Sequence, residues 1–356
     1  MGGAQDSPSE PPQAGALGEG DARLSALGVG LLCLGLLLGL FLGRASLSPS
    51  EVLSAVLSGP HAEEGASTLI LWWVRLPQTL TALIAGAALG ASGAALQSIF
   101  RNPLADPYLL GVSSGGGVGA SVVIVSGVME WLGLWSVAGA SFLGALMSTG
   151  LIYAWSRGRE SVLSLERLIL VGVALNLMLS ALLTLTLSLS EGELAGAWRW
   201  LLGRVDGLSW LELGWLALPA LLGTALLIKH QRALWLLEGG EEVAWSLGVP
   251  TERLKRLTLW ASALAVGGVV AFCGVIGFVG LMAPHFVRPR LNDSARLVER
   301  SALFGAAGLC LCDALGRLSP QPLPVGVITG CLGGLTLLWA LRHEGALGGA
   351  GEGGGL

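Results

Sequence analysis

The stretch LTLWASALAVGGVVAFCGVIGFVGLMAPHFV, residues 257–287, runs for 31 positions without an Asp, Glu, Lys or Arg. As one helix rising about 1.5 Å per residue it would reach about 46 Å, well beyond a bilayer hydrocarbon core of about 30 Å. Something must break it, and Gly274, Gly277, Gly280 and Pro284 stand in its second half. The flanks are TERLKR (251–256) and RPR (288–290), so the positive-inside tendency puts both ends on the cytoplasmic side. Two ends on one side require an even number of crossings. The stretch therefore reads as a span near 257–273 and a shorter, glycine-loosened span near 274–287.

Working outward, further apolar segments run over Leu24–Leu42, Leu76–Phe100, Tyr108–Met129, Leu132–Trp155, Leu168–Ser190, Leu211–Ile228, Ser301–Gly316 and Leu323–Leu341. Most are of membrane-spanning length. The fold class is an all-α polytopic membrane protein of about ten transmembrane helices. Composition agrees: of 356 residues 53% are hydrophobic and 12% charged, about half the charged share of a soluble domain. Residues 1–22, rich in Pro, Gly, Ser and acids, read as a disordered tail, 23–343 as the membrane domain, and 344–356 as a flexible Gly-rich tail. The run 24–42 is a retained first span, because no basic n-region precedes it and no clear small-residue cleavage site follows.

This topology sorts the cations. Arg23, Arg101, Arg157, Arg159, Arg167, Lys229, Arg232, Arg253, Lys255, Arg256, Arg288, Arg290, Arg296, Arg300 and Arg342 fall on one side; Arg44, Arg75, Arg199, Arg204 and Arg317 fall on the other. Fifteen against five orients both termini toward the cytoplasm. Trp72, Trp73, Trp131, Trp135, Trp198, Trp200, Trp210 and Trp215 cluster at the expected outer boundaries, where an amphipathic ring is favoured.

Several chemistries are disfavoured. Net charge is −4 with scattered basic residues, which excludes a nucleic-acid face. Cys33, Cys273, Cys310, Cys312 and Cys331 lie in apolar runs without a CxxC pair, so they read as small packers and no metal site is expected. Gly86, Gly90 and Gly93 have the spacing that lets helices approach closely in lipid. Gly115, Gly116 and Gly117 follow Ser113 and Ser114, but no Lys-Ser or Lys-Thr follows, so this is no phosphate loop. The chain has no Walker motif.

Three stretches, in order, carry a family resemblance. The first is RLPQT (75–79) followed by GAALGASGAALQ (86–97) and RNPLADP (101–107), leading into LGVSSG (110–115). The second is GVIGFVGLMAPHFVR (274–288), and the third is DALGR (313–317) followed by LPVGVIT (323–329). Together with WLLG (200–203) and EEVAWSLGV (241–249), they resemble the FecCD-type permeases, the membrane subunits of ABC importers for iron-siderophores, haem and vitamin B12. The chain departs from the family in having Gln78 where a second Arg is frequent. It also reads GGLTL (333–337) where a Gly-x-Pro-x-Phe-like turn is common.

The resemblance implies a type II ABC importer permease fold in the bacterial inner membrane, with a cytoplasmic coupling loop at 229–256. It implies that Arg75 and Arg317, at the outer membrane edge, receive acidic residues of a periplasmic substrate-binding protein. Asp313, four residues before Arg317 on one helical face, would orient that guanidinium. It implies that Glu241, Glu242, Ala244, Leu247 and Gly248 lie near the contact with an ABC ATPase subunit, which uses ATP and Mg; no cofactor is expected on this chain. Asn176, in the fifth span, is a candidate for the translocation path or for a bond to a neighbouring helix. Gln97, Asn102, Pro103, Gly111, Gly274, Gly277, Pro284, His285 and Arg288 match family motifs and read as shaping loops and helix ends. A second permease copy or paralogue completes the path.

The main rival is an ion-coupled secondary transporter, which also suits broken helices. That class usually needs intramembrane acids, and apart from Glu212 at the very edge of the span 211–228, Asp313 is the only acid inside an expected span, near its outer end. A membrane-embedded enzyme would need His, Cys, Asp or Glu to converge, and they do not.

Overall fold

The computed structural model describes residues 14–43, 45–60, 65–157, 163–189, 200–319, 321 and 323–348. Arg44, Arg159, Arg199, Trp198 and most of the two expected tails lie outside the described residues. Ten helices account for the ten apolar segments. They are α1 (Ala14–Phe41), α3 (Ala66–Phe100, after a short α2, Pro49–Ser58), α4 (Val112–Val125), α5 (Leu134–Ser156) and α6 (Leu165–Ser188). Then follow α7 (Trp210–Lys229), α10 (Thr251–Cys273), α11 (Val279–Val287), α12 (Leu297–Gly316) and α13 (Val325–Gly348). Between α7 and α10 lie two short helices, α8 (Gln231–Glu238) and α9 (Glu241–Ser246). Six of the helices are long and apolar enough to cross a membrane. Helices α1 and α13 start before and end after the expected tail boundaries, since Ala14 and Gly348 are already helical.

The 257–287 stretch breaks where its glycines stand. Helix α10 ends at Cys273, Gly274 adopts φ +68°, and a Cβ there would sit 1.9 Å from the Trp200 carbonyl oxygen. Residues 274–278 are non-helical, and Phe278, itself at φ +68°, begins the nine-residue α11. Such a helix is only about 13 Å long. It reaches across a bilayer only with the help of the preceding five residues, which can add at most about 17 Å. The eighth span is thus half helix and half irregular chain.

The third span differs from its expected extent over 108–129. Residues 107–110 form a 3-10 turn, Gly111 takes φ +73°, and α4 has only 14 residues. The two broken segments meet inside the bundle. A Cβ on Gly280 would contact Pro107 Cδ at 2.9 Å and the Leu89 carbonyl oxygen at 3.1 Å, with Leu89 in the middle of α3. Non-helical backbone at membrane depth is tolerated where protein surrounds it and satisfies its polar groups. Here the Tyr108 hydroxyl does so twice, donating to the Ile276 carbonyl at 2.7 Å and accepting from the Ile276 N–H at 2.9 Å.

Helix α3 is the central column, buried along most of its length. It lies against α12 at backbone distance: a Cβ on Gly86 would fall 2.3 Å from the Gly305 carbonyl oxygen, and one on Gly305 would fall 2.3 Å from that of Gly86. The glycine run 115–117 is likewise packing, since Gly115 of α4 faces Gly144 of α5. Cys273, Cys310 and Cys312 are free and buried.

Candidate functional site

The bundle has two chemically distinct ends. At one, Leu42, Arg75, Gln78, Arg204, Asp206, Asp313, Arg317 and Gln321 are among the residues lining a cavity of about 840 Å3. At the other lie α8 and α9. Ser98 of α3 donates to Glu238 at the end of α8 at 2.7 Å, some 35 Å along the helix axis from Arg75 at about 1.5 Å per residue.

Arg75 and Arg317 both stand in the cavity wall. Neither is an exposed cation at the membrane edge: Arg75 is 2% exposed and Arg317 9%. The cause is the C-terminus of α1, whose last four carbonyls have no partner within their own helix. Leu38 O receives the Leu42 N–H at 2.7 Å and Gly39 O receives Arg317 Nη1 at 2.6 Å. Arg75 Nη1 reaches Leu40 O at 2.5 Å and Phe41 O at 3.0 Å, while its Nη2 donates to Ala45 O. Two guanidinium groups therefore cap α1 at the negative end of its dipole. Arg75 reaches this position from a π-helical turn, Leu71–Arg75, a wide turn that often marks a functional element.

The internal pair anticipated from the i,i+4 spacing is present. Arg317 Nη2 donates to Asp313 Oδ2, and Gln78 Nε2 donates to Asp313 Oδ1 at 2.7 Å. Gln78 thus holds the carboxylate and adds no charge. Sequence reasoning sorted Arg204 to this side without giving it a role. Arg204 sits in the 202–209 loop, its backbone N–H donates to Cys273 O at 2.7 Å, and its side chain enters the same cavity half-exposed. Its Nε donates to Asp206 Oδ1 at 2.8 Å and its Nη2 to Asp206 Oδ2. Burial would raise the Asp206 carboxyl, but the hydrogen bonds and charge of Arg204 hold it below its ordinary value; Arg204 is raised in turn, first by its hydrogen bond to Asp206.

At the opposite end Lys255 is fully buried and donates to Glu241 at 2.7 Å and Glu252 at 2.9 Å, tying α9 to the start of α10. Ala244 is also fully buried, so it is the underside of α9 rather than a contact surface. The accessible face includes Glu242, Val243, Trp245, Ser246, Leu247 and Gly248. Trp245 is 74% exposed, and neither it nor Val243 was singled out in the sequence; an amphipathic reading of 241–248 would have found both. Arg288 meets Glu238 with both Nη atoms at 3.2 Å, so it joins the end of α11 to α8.

The other motif residues fall along these elements. Asn102 Oδ1 accepts from the Leu104 N–H at 2.9 Å, and exposed Pro103 lies in the same turn. Gln97 is buried with neither amide atom bonded among the described residues, while its carbonyl accepts from the Asn102 N–H. Gly111 O accepts from Ser148 Oγ at 2.7 Å. A Cβ on Gly277 would meet open space. Pro284 and His285 lie within α11. Asn176 Oδ1 accepts from Ser114 Oγ and its Nδ2 donates to Tyr108 O at 3.2 Å, so its amide bonds the neighbouring α4 segment.

A family model described as the FecCD transport family matches residues 31–343. The vitamin B12 import system permease protein BtuC of Escherichia coli O157:H7 is 37% identical over 319 residues, covering 88% of this chain and 93% of that protein. The protein of the same name from Klebsiella pneumoniae is 37% identical over 320 residues, covering 88% and 92%. Among solved structures, an inward-facing metal-chelate-type ABC transporter matches with a TM-score of 0.79 and 31% identity. It covers 91% of this chain and 99% of that one.

Proposed function

This chain belongs to the FecCD transport family, and from that membership we propose that it is the membrane half of an ATP-driven importer for a large metal chelate, with cobalamin as the first candidate cargo. The observation that carries the reading is the α9 helix. It is pinned from below by a buried lysine and shows Val243, Trp245 and Leu247 to solvent in a loop otherwise rich in charge. An apolar face set on a rigid, polar-rimmed platform suits a protein partner, here the ABC ATPase. ATP and Mg belong to that subunit, and this chain carries no hydrolytic chemistry of its own.

In this reading the α8–α9 end is cytoplasmic, as are both termini, and the 840 Å3 cavity faces a periplasmic binding protein. Closure of the ATPase on ATP moves α9, and the helices tilt to change which side is open. Helix α6 supports a second copy or paralogue across the path. It is largely exposed, and Asn176, Ser180, Thr184 and Ser188 form a polar stripe at i,i+4 spacing on it. The relatives named for vitamin B12 favour a corrinoid over a ferric siderophore or haem.

The test is uptake by proteoliposomes holding this chain with its ATPase, supplied in turn with cobalamin-, siderophore- and haem-binding proteins. ATP-dependent accumulation of cobalamin is the expected result, and uptake of another chelate alone would replace the cargo. Uptake by the chain alone, driven by a proton or sodium gradient, would overturn the importer reading in favour of ion-coupled secondary transport.

A further inference from the structure

We propose that the groove between α5 and α7, floored by α10, holds one acyl chain of a phospholipid from the bilayer leaflet on the cavity side. This is a lipid site set apart from the path of the cargo. It stands on the chain's place in a membrane and not on which chelate is imported.

The groove has a volume of about 450 Å3. Small residues open it: Ala138 and Gly139 of α5 and Gly268 of α10 are part of its wall, and a Cβ on Gly139 would meet nothing within 4 Å. The floor is tight, since a Cβ on Gly268 would fall 2.7 Å from Pro219 Cγ of α7. Among the described residues, the only polar side-chain groups in the wall are the indole N–H groups of Trp135 and Trp215. A hydrophilic chelate finds no partner there, and neither α4 nor α6 contributes a residue. An acyl chain is the apolar occupant that a bilayer supplies at every such opening.

Position and length fit one leaflet. The Arg204 N–H bonds Cys273 O, which puts the end of α10 at the cavity end of the bundle. From the helix ends there, the groove reaches Phe142, eight residues after Leu134 of α5, Leu222, twelve after Trp210 of α7, and Leu264, nine before Cys273 of α10. At about 1.5 Å per residue these are about 12 to 18 Å, close to half of a hydrocarbon core of about 30 Å. At the mouth Trp135 sets its ring edge-on to Trp215 at 6.4 Å and to Phe272 at 6.2 Å, so one aromatic cluster ties the three helices together. Trp135 and Trp215 are 43% and 57% exposed, and neither indole N–H has an acceptor among the described residues. Trp72 and Trp210, by contrast, donate to Ala55 O and Trp72 O, both at 2.9 Å. The ester carbonyl and phosphate oxygens of a phospholipid are the acceptors available at headgroup depth, where such rings are favoured. The chain of the lipid thus fills the groove while its head meets the two indoles.

The test uses the complete transporter in proteoliposomes doped with a phosphatidylethanolamine that carries a diazirine on one acyl chain. After irradiation, peptide mass spectrometry should find adducts at Leu264 and Gly268 at least about tenfold more often than at Leu34 and Leu37, which are exposed on α1. Tenfold is about 1.4 kcal/mol of preference over lipid that merely surrounds the protein. Gly139→Leu fills the groove without a clash and should bring the enrichment down to the α1 level. Gly214→Leu, at an open position of α7 outside the groove, should leave it unchanged. Native mass spectrometry of the wild type needs no variant: one phospholipid per permease chain should survive delipidation. Equal labelling of the groove and of α1 in the wild type would overturn the proposal, as would enrichment that persists in Gly139→Leu. Adducts absent from the groove while a neighbouring protein chain crosslinks to it would also overturn it, by assigning the surface to a protein contact. Each of these failures leaves the importer reading untouched.

Discussion

A guanidinium near a bilayer is stable only where protein acceptors replace water, and α1 supplies them at Gly39, Leu40 and Phe41. Arg75→Met removes donors from three carbonyls at once while keeping an apolar stem. At about 1–3 kcal/mol per buried group left without a partner, the variant should lose several kcal/mol and show a clearly lower melting temperature in detergent. An unchanged melting temperature would mean that water replaces the arginine. The Asp313–Arg317 pair was legible from its spacing, but the carbonyl partners were not, because α1 is remote in sequence and meets them only through tertiary packing. Arg204 was legible as an outer cation but not as an accessible one, since access depends on what else lines the cavity. Asp206 adds a pH test. Its carboxyl is depressed below the ordinary value of 3.8, so the paired state is fully present above that value and lost as pH falls through the lower, folded one. Stability measured by thermal melts should therefore be level in this respect from pH 7 to pH 5 and fall only below about pH 4. A transition near pH 6 that survives in Asp206→Asn would assign the proton to another group.

Among elements, the break in 257–287 was legible because 31 apolar residues are too many for one crossing. The shortness of α4 was not, since residues 108–129 have an acceptable length and composition and the 3-10 turn at 107–110 shows only in the structure. Helix α2 was missed although its start carries a signal: Ser48 and Glu51 form a capping box, with Pro49 at the first helical position. Gly86, Gly90 and Gly93, read as packing sites, all meet the backbone of another helix, while other glycines of the bundle do not. Gly86 faces α12 backbone, whereas a Cβ on Gly308 would meet nothing within 4 Å. Gly86→Ala must push two helices apart and should cost about 1–3 kcal/mol with loss of transport. Gly308→Ala should be neutral or slightly stabilising, because alanine restricts the unfolded chain. Thermal melts of the two purified variants decide between this and a model in which all small residues matter equally; equal losses would refute the contrast.

At the scale of the molecule, the charge count located two unlike ends, and the structure spans them with α3, whose Arg75 end joins the cavity and whose Ser98 end joins α8. What the sequence could not supply is how the platform on the second end is tied to the broken α11, because Glu238 and Arg288 are far apart in the chain. Glu238 accepts from Ser98 and from Arg288, so α3, α8 and α11 share one carboxylate. Arg288 carries its charge at the C-terminal end of α11, so the node ties the α8–α9 end of the bundle through α11 to the break at 274–278. The pair is partly solvated and adds little to stability, on the order of 1 kcal/mol or less. Its effect should instead appear in coupling. Glu238→Gln keeps an acceptor for Ser98 but weakens the hold on Arg288, and Arg288→Met removes it entirely. In the reconstituted transporter both variants should bind the ATPase normally and hydrolyse ATP, yet import fewer chelates per ATP, with Arg288→Met the more severe. The double variant should be no worse than Arg288→Met alone, because both remove the same link. Fully additive losses would show that the two residues act separately, and unchanged transport per ATP in both would show that motion reaches the break through α10 instead, by way of Lys255.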